Sequence, residues 1–165
     1  MSASSGSSDG AGVASPAADT VTDDFEWITA HVGASGFRTD ISAGPHAITA
    51  DEPVALGGTG LGPTPYELLL AALSGCMAMT LRMYADRKGW PLQSVRVHLR
   101  TARAHEKDCE ECETEAVGIP HIARRIDLEG PLTDEQRKRL LQMADRCPVK
   151  QTLERGLKVD PVATA

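Results

Sequence analysis

Two cysteines of this chain, Cys76 and Cys147, sit where neighbouring residues fix what each thiol meets. Cys76 ends the run Gly62-Pro63-Thr64-Pro65-Tyr66-Glu67-Leu68-Leu69-Leu70-Ala71-Ala72-Leu73-Ser74-Gly75-Cys76, which starts a helix and carries the thiol into its apolar middle. Cys147 lies in Ala144-Asp145-Arg146-Cys147-Pro148-Val149, where one helix stops and another can begin. The thiolate is the reactive form of cysteine, and the two together suggest a two-thiol redox site. As N-cap of a helix opened by Pro148, Cys147 faces the positive end of a helix dipole, and Lys150 keeps a cation near it. On electrostatics alone Cys147 competes with Cys76 to react first.

The remaining cysteines, Cys109 and Cys112, form a C-x-x-C among Glu106, Asp108, Glu110, Glu111, Glu113 and Glu115. Neighbouring negative charge raises a thiol pKa and disfavours thiolate, which argues against a thioredoxin-like role. A metal would reverse that penalty. With His105 and His121 the pair has the ligand types of a zinc site, although the gap from Cys112 to His121 is not a strong finger spacing. The expectation is an exposed acidic loop with two idle thiols, no metal and no cofactor.

The chain has 165 residues, 41% of them hydrophobic, enough to bury one sizeable core. Residues 1–24, rich in Ser, Ala, Gly and Asp, read as a disordered tail, and 25–165 as one domain. The tail lacks the basic start and apolar run of a secretory signal, which implies the cytoplasm, where cysteines are catalytic or metal-binding more often than structural disulfides. A formal net charge of -6 provides no basic field for phosphate backbones, so nucleic acid is not an expected partner. The charge-free stretch from Leu68 to Leu81 is shorter than the roughly 20 residues that span a bilayer, so no membrane is expected either.

The elements that must position the two thiols are readable in outline. Phe37, Thr39 and Ile41 alternate with Arg38, Asp40 and Ser42, Gly44-Pro45 punctuates, and His46 to Ala50 resumes an extended pattern, predicting a β-hairpin. After a Gly-rich connection from Asp51 to Leu61, Thr64-Pro65-Tyr66-Glu67 supplies an N-cap, a proline at N1 and a glutamate at N3. The helix so opened is apolar on all sides through Met79, which implies burial inside the fold, and ends near Lys88-Gly89. Val95, Val97 and Leu99, then Ile122, Ile126 and Leu128 with Arg124 interrupting, predict two further strands. Thr133 to Gln136 forms a second capping box, after which Leu140, Leu141, Ala144 and Cys147 fall on one helical face, so Cys147 points to the core. A short helix from Pro148 to about Arg155 and a last strand over Lys158 to Val162 complete an α+β domain.

The ordered motifs Asp51-Glu52-Pro53, Gly57-Gly58, Gly62 to Leu69, Ser74-Gly75-Cys76, Tyr84 to Gly89 and Cys147-Pro148-Val149 resemble the OsmC/Ohr family of thiol peroxidases over about residues 36–160. The resemblance implies the OsmC-like fold, antiparallel sheets packed on a long central helix, in an intertwined homodimer with its site near the dimer interface. It implies that Cys76 is the peroxidatic thiol and Cys147 the resolving one, forming a disulfide before over-oxidation. The substrate is then an organic hydroperoxide or hydrogen peroxide, and the reductant a dithiol. It also implies an arginine held by a glutamate beside the reactive thiol, for which Arg38 and Glu67 are the candidates. Glu67 departs from the better-known branch, whose glutamate stands one position earlier, where this chain has Tyr66; one position turns a helical side chain by about 100°. Lys150 stands where related sequences commonly have histidine. The competing readings are a non-catalytic small-molecule-binding protein on the same fold and a metal sensor built on Cys109 and Cys112.

Overall fold

A computed structural model describes residues 27–103 and 120–159. The expected N-terminal tail, His105 and the acidic segment with Cys109 and Cys112 lie outside the described residues, as does most of the expected strand from Lys158 to Val162. Strands β1 (Ile28–Val32), β2 (Thr39–Ala43) and β3 (His46–Ala50) form an antiparallel sheet in the order β1-β2-β3. Helix α1 (Pro65–Lys88) follows, then an antiparallel ribbon of β4 (Ser94–Arg103) and β5 (Pro120–Glu129), helix α2 (Asp134–Met143), a 3-10 turn (Ala144–Arg146) and helix α3 (Pro148–Arg155). The hairpin, the ribbon strands and the helix starts stand where the sequence predicts them; β1 was not foreseen.

Local chemistry explains the helix boundaries. The Thr64 hydroxyl accepts from the Glu67 N–H at 3.3 Å, and the Glu67 carboxylate accepts from the Thr64 N–H at 2.8 Å, so two of the first turn's unpartnered donors are satisfied. Thr133 and Gln136 repeat that arrangement at the start of α2. Gly89, at φ 63, closes α1 by sending its N–H back to Ala85 and Asp86. Ahead of α1, the buried carboxylate of Asp51 accepts from the N–H groups of Glu52, Thr59 and Leu61 and from the Thr59 hydroxyl, folding residues 52–61 around itself. The loop is too tight for a side chain at Gly58, where a Cβ would stand 1.9 Å from the Glu52 carbonyl oxygen.

The core lies between α1, the ribbon and α2–α3. Leu81, Tyr84 and Ala85 of α1 pack with Leu92, Leu132, Leu140 and Ala144, and a second cluster joins Leu73 and Met77 to Cys147. Register places Val95 opposite Leu128, Val97 opposite Ile126 and Leu99 opposite Arg124, so one face of the ribbon presents these residues together. Val95, Ile126 and Leu128 of that face pack on the first cluster, Val97 and Leu99 on the second.

Of the apolar perimeter of α1, one chain buries a single stripe, Leu73, Met77, Leu81, Tyr84 and Ala85, and leaves Tyr66, Met79 and Met83 about two-thirds exposed. By length and hydropathy α1 could cross a bilayer, but here it packs on β4, α2 and α3. One expectation is corrected: the helix carrying Leu140 does not continue to Cys147. It tightens into the 3-10 turn after Met143, which turns Ala144 and Cys147 fully inward with Leu140 while Leu141 stays exposed.

Candidate functional site

Cys76 stands midway along α1 and Cys147 at the junction between the 3-10 turn and α3. Their sulfurs, far apart in sequence, come to 2.8 Å as free thiols, the Cys147 S–H donating to the Cys76 sulfur. Exposure differs: Cys147 is fully buried and Cys76 half-buried, so an incoming molecule meets Cys76 first. Leu73, Met77, Val97, Leu99, Val149 and Leu153 form the apolar surround.

Cys147 keeps its backbone in place through its own N–H to Ala144 O at 3.3 Å and its carbonyl, which accepts from the Gln151 N–H at 3.0 Å. Pro148 at the first helical position cannot donate, so the N–H groups of Val149 and Lys150 are the nearest donors of α3 to the Cys147 sulfur. They pull its pKa down without forming a capping hydrogen bond. Burial outweighs them and pushes the Cys147 thiol up, and the Cys76 sulfur beside it adds to the rise. Desolvation thus works against the helix-end electrostatics at Cys147 and favours its protonated form, whose S–H is placed to donate to Cys76. Chemically, two sulfurs this close can close into a disulfide on loss of two electrons and two protons.

The other sequence candidates sit elsewhere within the chain. Arg38 precedes β2, exposed, and pairs with Asp40 at 3.2 Å. Glu67 is engaged with Thr64 at the start of α1. His121, the zinc-type residue of its set within the described residues, is exposed near the start of β5.

A group that the sequence reading did not assemble borders Cys147. Asp145, in the 3-10 turn, has one carboxylate oxygen 2.9 Å from the Arg124 guanidinium of β5 and 3.6 Å from the Lys150 ammonium of α3. Lys150 also reaches Glu154 at 2.6 Å. The available signal was Arg124 itself, a charge interrupting the apolar row of β5. A cavity of about 530 Å³ opens beside it, lined by His98, Leu99, Arg100, Ala123, Arg124 and Arg125. Leu99 is shared between this cavity and the thiol cluster.

The OsmC-like protein profile matches residues 58–162. A crystal structure of an OsmC like protein from Mycoplasma pneumoniae superimposes with a TM-score of 0.63 at 20% identity, over 80% of this chain and 89% of that one. An organic hydroperoxide resistance protein OsmC from Legionella pneumophila gives 0.53 at 21%, over 76% and 85%. An organic hydroperoxide resistance protein from Elizabethkingia anophelis gives 0.55 at 18%, over 78% and 89%. At these identities the likeness is one of fold. No curated protein matches the sequence. The profile runs from the Gly-rich loop through both thiol-bearing segments, and on that match, with the shared α+β fold beneath it, the chain belongs to the OsmC-like protein family.

Proposed function

We propose that this protein is a cytoplasmic, homodimeric thiol peroxidase that reduces organic hydroperoxides or hydrogen peroxide through Cys76 and Cys147. The observation that carries the reading is the contact between a half-buried Cys76 and a fully buried, proton-retaining Cys147. The Cys76 thiolate attacks one peroxide oxygen and the O–O bond breaks; the leaving alkoxide takes a proton to become the alcohol, and Cys76 becomes a sulfenic acid. The Cys147 sulfur then attacks the Cys76 sulfur, its proton leaves with the hydroxyl as water, and the disulfide forms. An external dithiol returns both cysteines to thiols through a mixed disulfide.

Accessibility supports that order: a peroxide reaches half-buried Cys76, while Cys147, fully buried and held protonated by its burial, is in place to condense once the sulfenic acid appears. The family resemblance alone points to Arg38 and Glu67; within one chain Arg38 pairs with Asp40 and Glu67 caps α1, and neither is assigned to the reaction.

Mass spectrometry after one equivalent of cumene hydroperoxide tests the assignment. The wild type is expected to carry a disulfide between Cys76 and Cys147. The Cys147→Ser protein should carry one or more oxygens on Cys76, and the Cys76→Ser protein should consume no peroxide. Oxygen accumulating on Cys147 in Cys76→Ser at the wild-type rate would reverse the roles.

A further inference from the structure

The short turn that delivers Cys147 is packed through Ala144 and Cys147 on the core, but its own hydrogen bonds are few. The Cys147 N–H to Ala144 bond is long, at 3.3 Å, and Pro148 removes the next donor. Around this turn, one oxygen of Asp145 gathers Arg124 from β5 and Lys150 from α3, so a single carboxylate joins the three segments that meet at Cys147.

Arg124 occupies a costly position for this purpose. It stands opposite Leu99 on the ribbon face that also carries Ile126 and Leu128, and its side chain is 28% exposed. An apolar residue there would pack without needing a counter-charge, and a partly exposed ion pair adds little net stability. What the pair does add is direction: a guanidinium anchored in a strand fixes where the Asp145 carboxylate, and with it the turn, can sit.

We propose that Asp145 is a positioning residue, held by Arg124 and Lys150, that keeps the Cys147 sulfur within bonding reach of Cys76. It acts through Cys147 and touches no reacting atom. The inference rests on the reading of the two thiols as a redox pair, and it makes the clamp govern how readily the disulfide closes.

The test is the thiol–disulfide equilibrium of the full chain against glutathione, in which the two protein thiols and one oxidised glutathione give the protein disulfide and two reduced glutathiones. This readout needs no peroxide. Asp145→Asn and Arg124→Gln are each expected to shift the equilibrium toward the dithiol by about tenfold, through a lower effective concentration of one thiol at the other. Their thermal midpoints should stay near the wild type's, and Asp145→Glu, which keeps the charge, should recover most of the lost closure. If the wild type forms the disulfide and both variants match it, the clamp is overturned and the redox pair stands. If the wild type forms none, the redox reading falls and the clamp with it. If both variants lose cooperative unfolding, the ion pair is a stability element and the positioning role is overturned.

Discussion

Cys147 shows how one residue's environment can invert an expectation drawn from its neighbours in sequence. The N-terminus of α3 favours a thiolate there, but the effect reaches the sulfur weakly, whereas complete burial penalises the charge outright. The helix was legible from Pro148; the burial depended on Leu73, Met77, Val97 and Leu99, all distant in sequence. Glu67 poses the complementary case, because its capping role was legible and is realised. Glutamine also serves at that position, as Gln136 does in α2. Glu67→Gln should therefore leave both stability and the rate of peroxide reduction near wild type, while Glu67→Ala should cost about 1 kcal/mol through the lost cap. Urea unfolding and a peroxide-consumption assay check the pair of variants. A rate loss in Glu67→Gln with unchanged unfolding would instead assign the carboxylate to thiolate activation.

Among the elements, those defined by local chemistry were readable and those defined by distant partners were not. The two capping boxes, the Pro–Gly punctuation and the alternation of the ribbon announce α1, α2, β2–β5 and α3, because each signal acts within a few residues. Strand β1 was missed although Ile28, Ala30 and Val32 alternate with Thr29 and His31; all five of its residues are exposed in this chain, so its apolar row has no core partner here. The Asp51 loop was visible as Gly-rich, but not that one carboxylate organises it. The Thr59 hydroxyl first, then the N–H groups of Leu61, Glu52 and Thr59, hold the Asp51 carboxyl down to about 2 despite burial, which raises it. In the unfolded chain the same group titrates near about 3.9. The folded value is the lower one, so the ionised carboxylate contributes stability that is complete above the unfolded value and fades as pH falls toward the folded one. Asp51→Asn should be less stable than wild type by a margin that is constant from neutral pH to about 5 and narrows below about 4. Urea midpoints across that range measure it, and a margin undiminished at the acid end would mean that Asp51 acts through packing and not through its charge.

At the scale of the whole molecule, exposed apolar side chains include Val54, Leu56 and Leu61 of the loop before α1 and Leu157 and Val159 after α3, and two further groups lie on regular elements. One flank of α1 presents Met79 and Met83, and the N-terminal sheet presents Ile28 and Val32 beside Trp27 and Phe37, each at least half exposed. That sheet pairs within itself and, among the described residues, packs extensively on no helix. Scattered exposed apolar residues need no explanation, but a helix flank and a sheet uncovered together are the surfaces that a partner covers. A second copy of this chain is the expected occupant, since the apolar perimeter of α1 predicts burial that one chain supplies along a single stripe. Closed two-fold association places the same patch against itself, and a stable interface of this kind buries about 1,200–2,000 Å². Sedimentation at micromolar concentration should thus show a dimer. The double substitution Met79→Glu with Met83→Glu sets like charges against one another across a self-complementary patch and should weaken association by at least about a hundredfold. Neither side chain belongs to the core clusters, so the variant's far-ultraviolet circular dichroism should match the wild type's. A wild type that sediments as a monomer would overturn the dimer, and a charged variant that remains dimeric at the same concentration would move the interface away from α1.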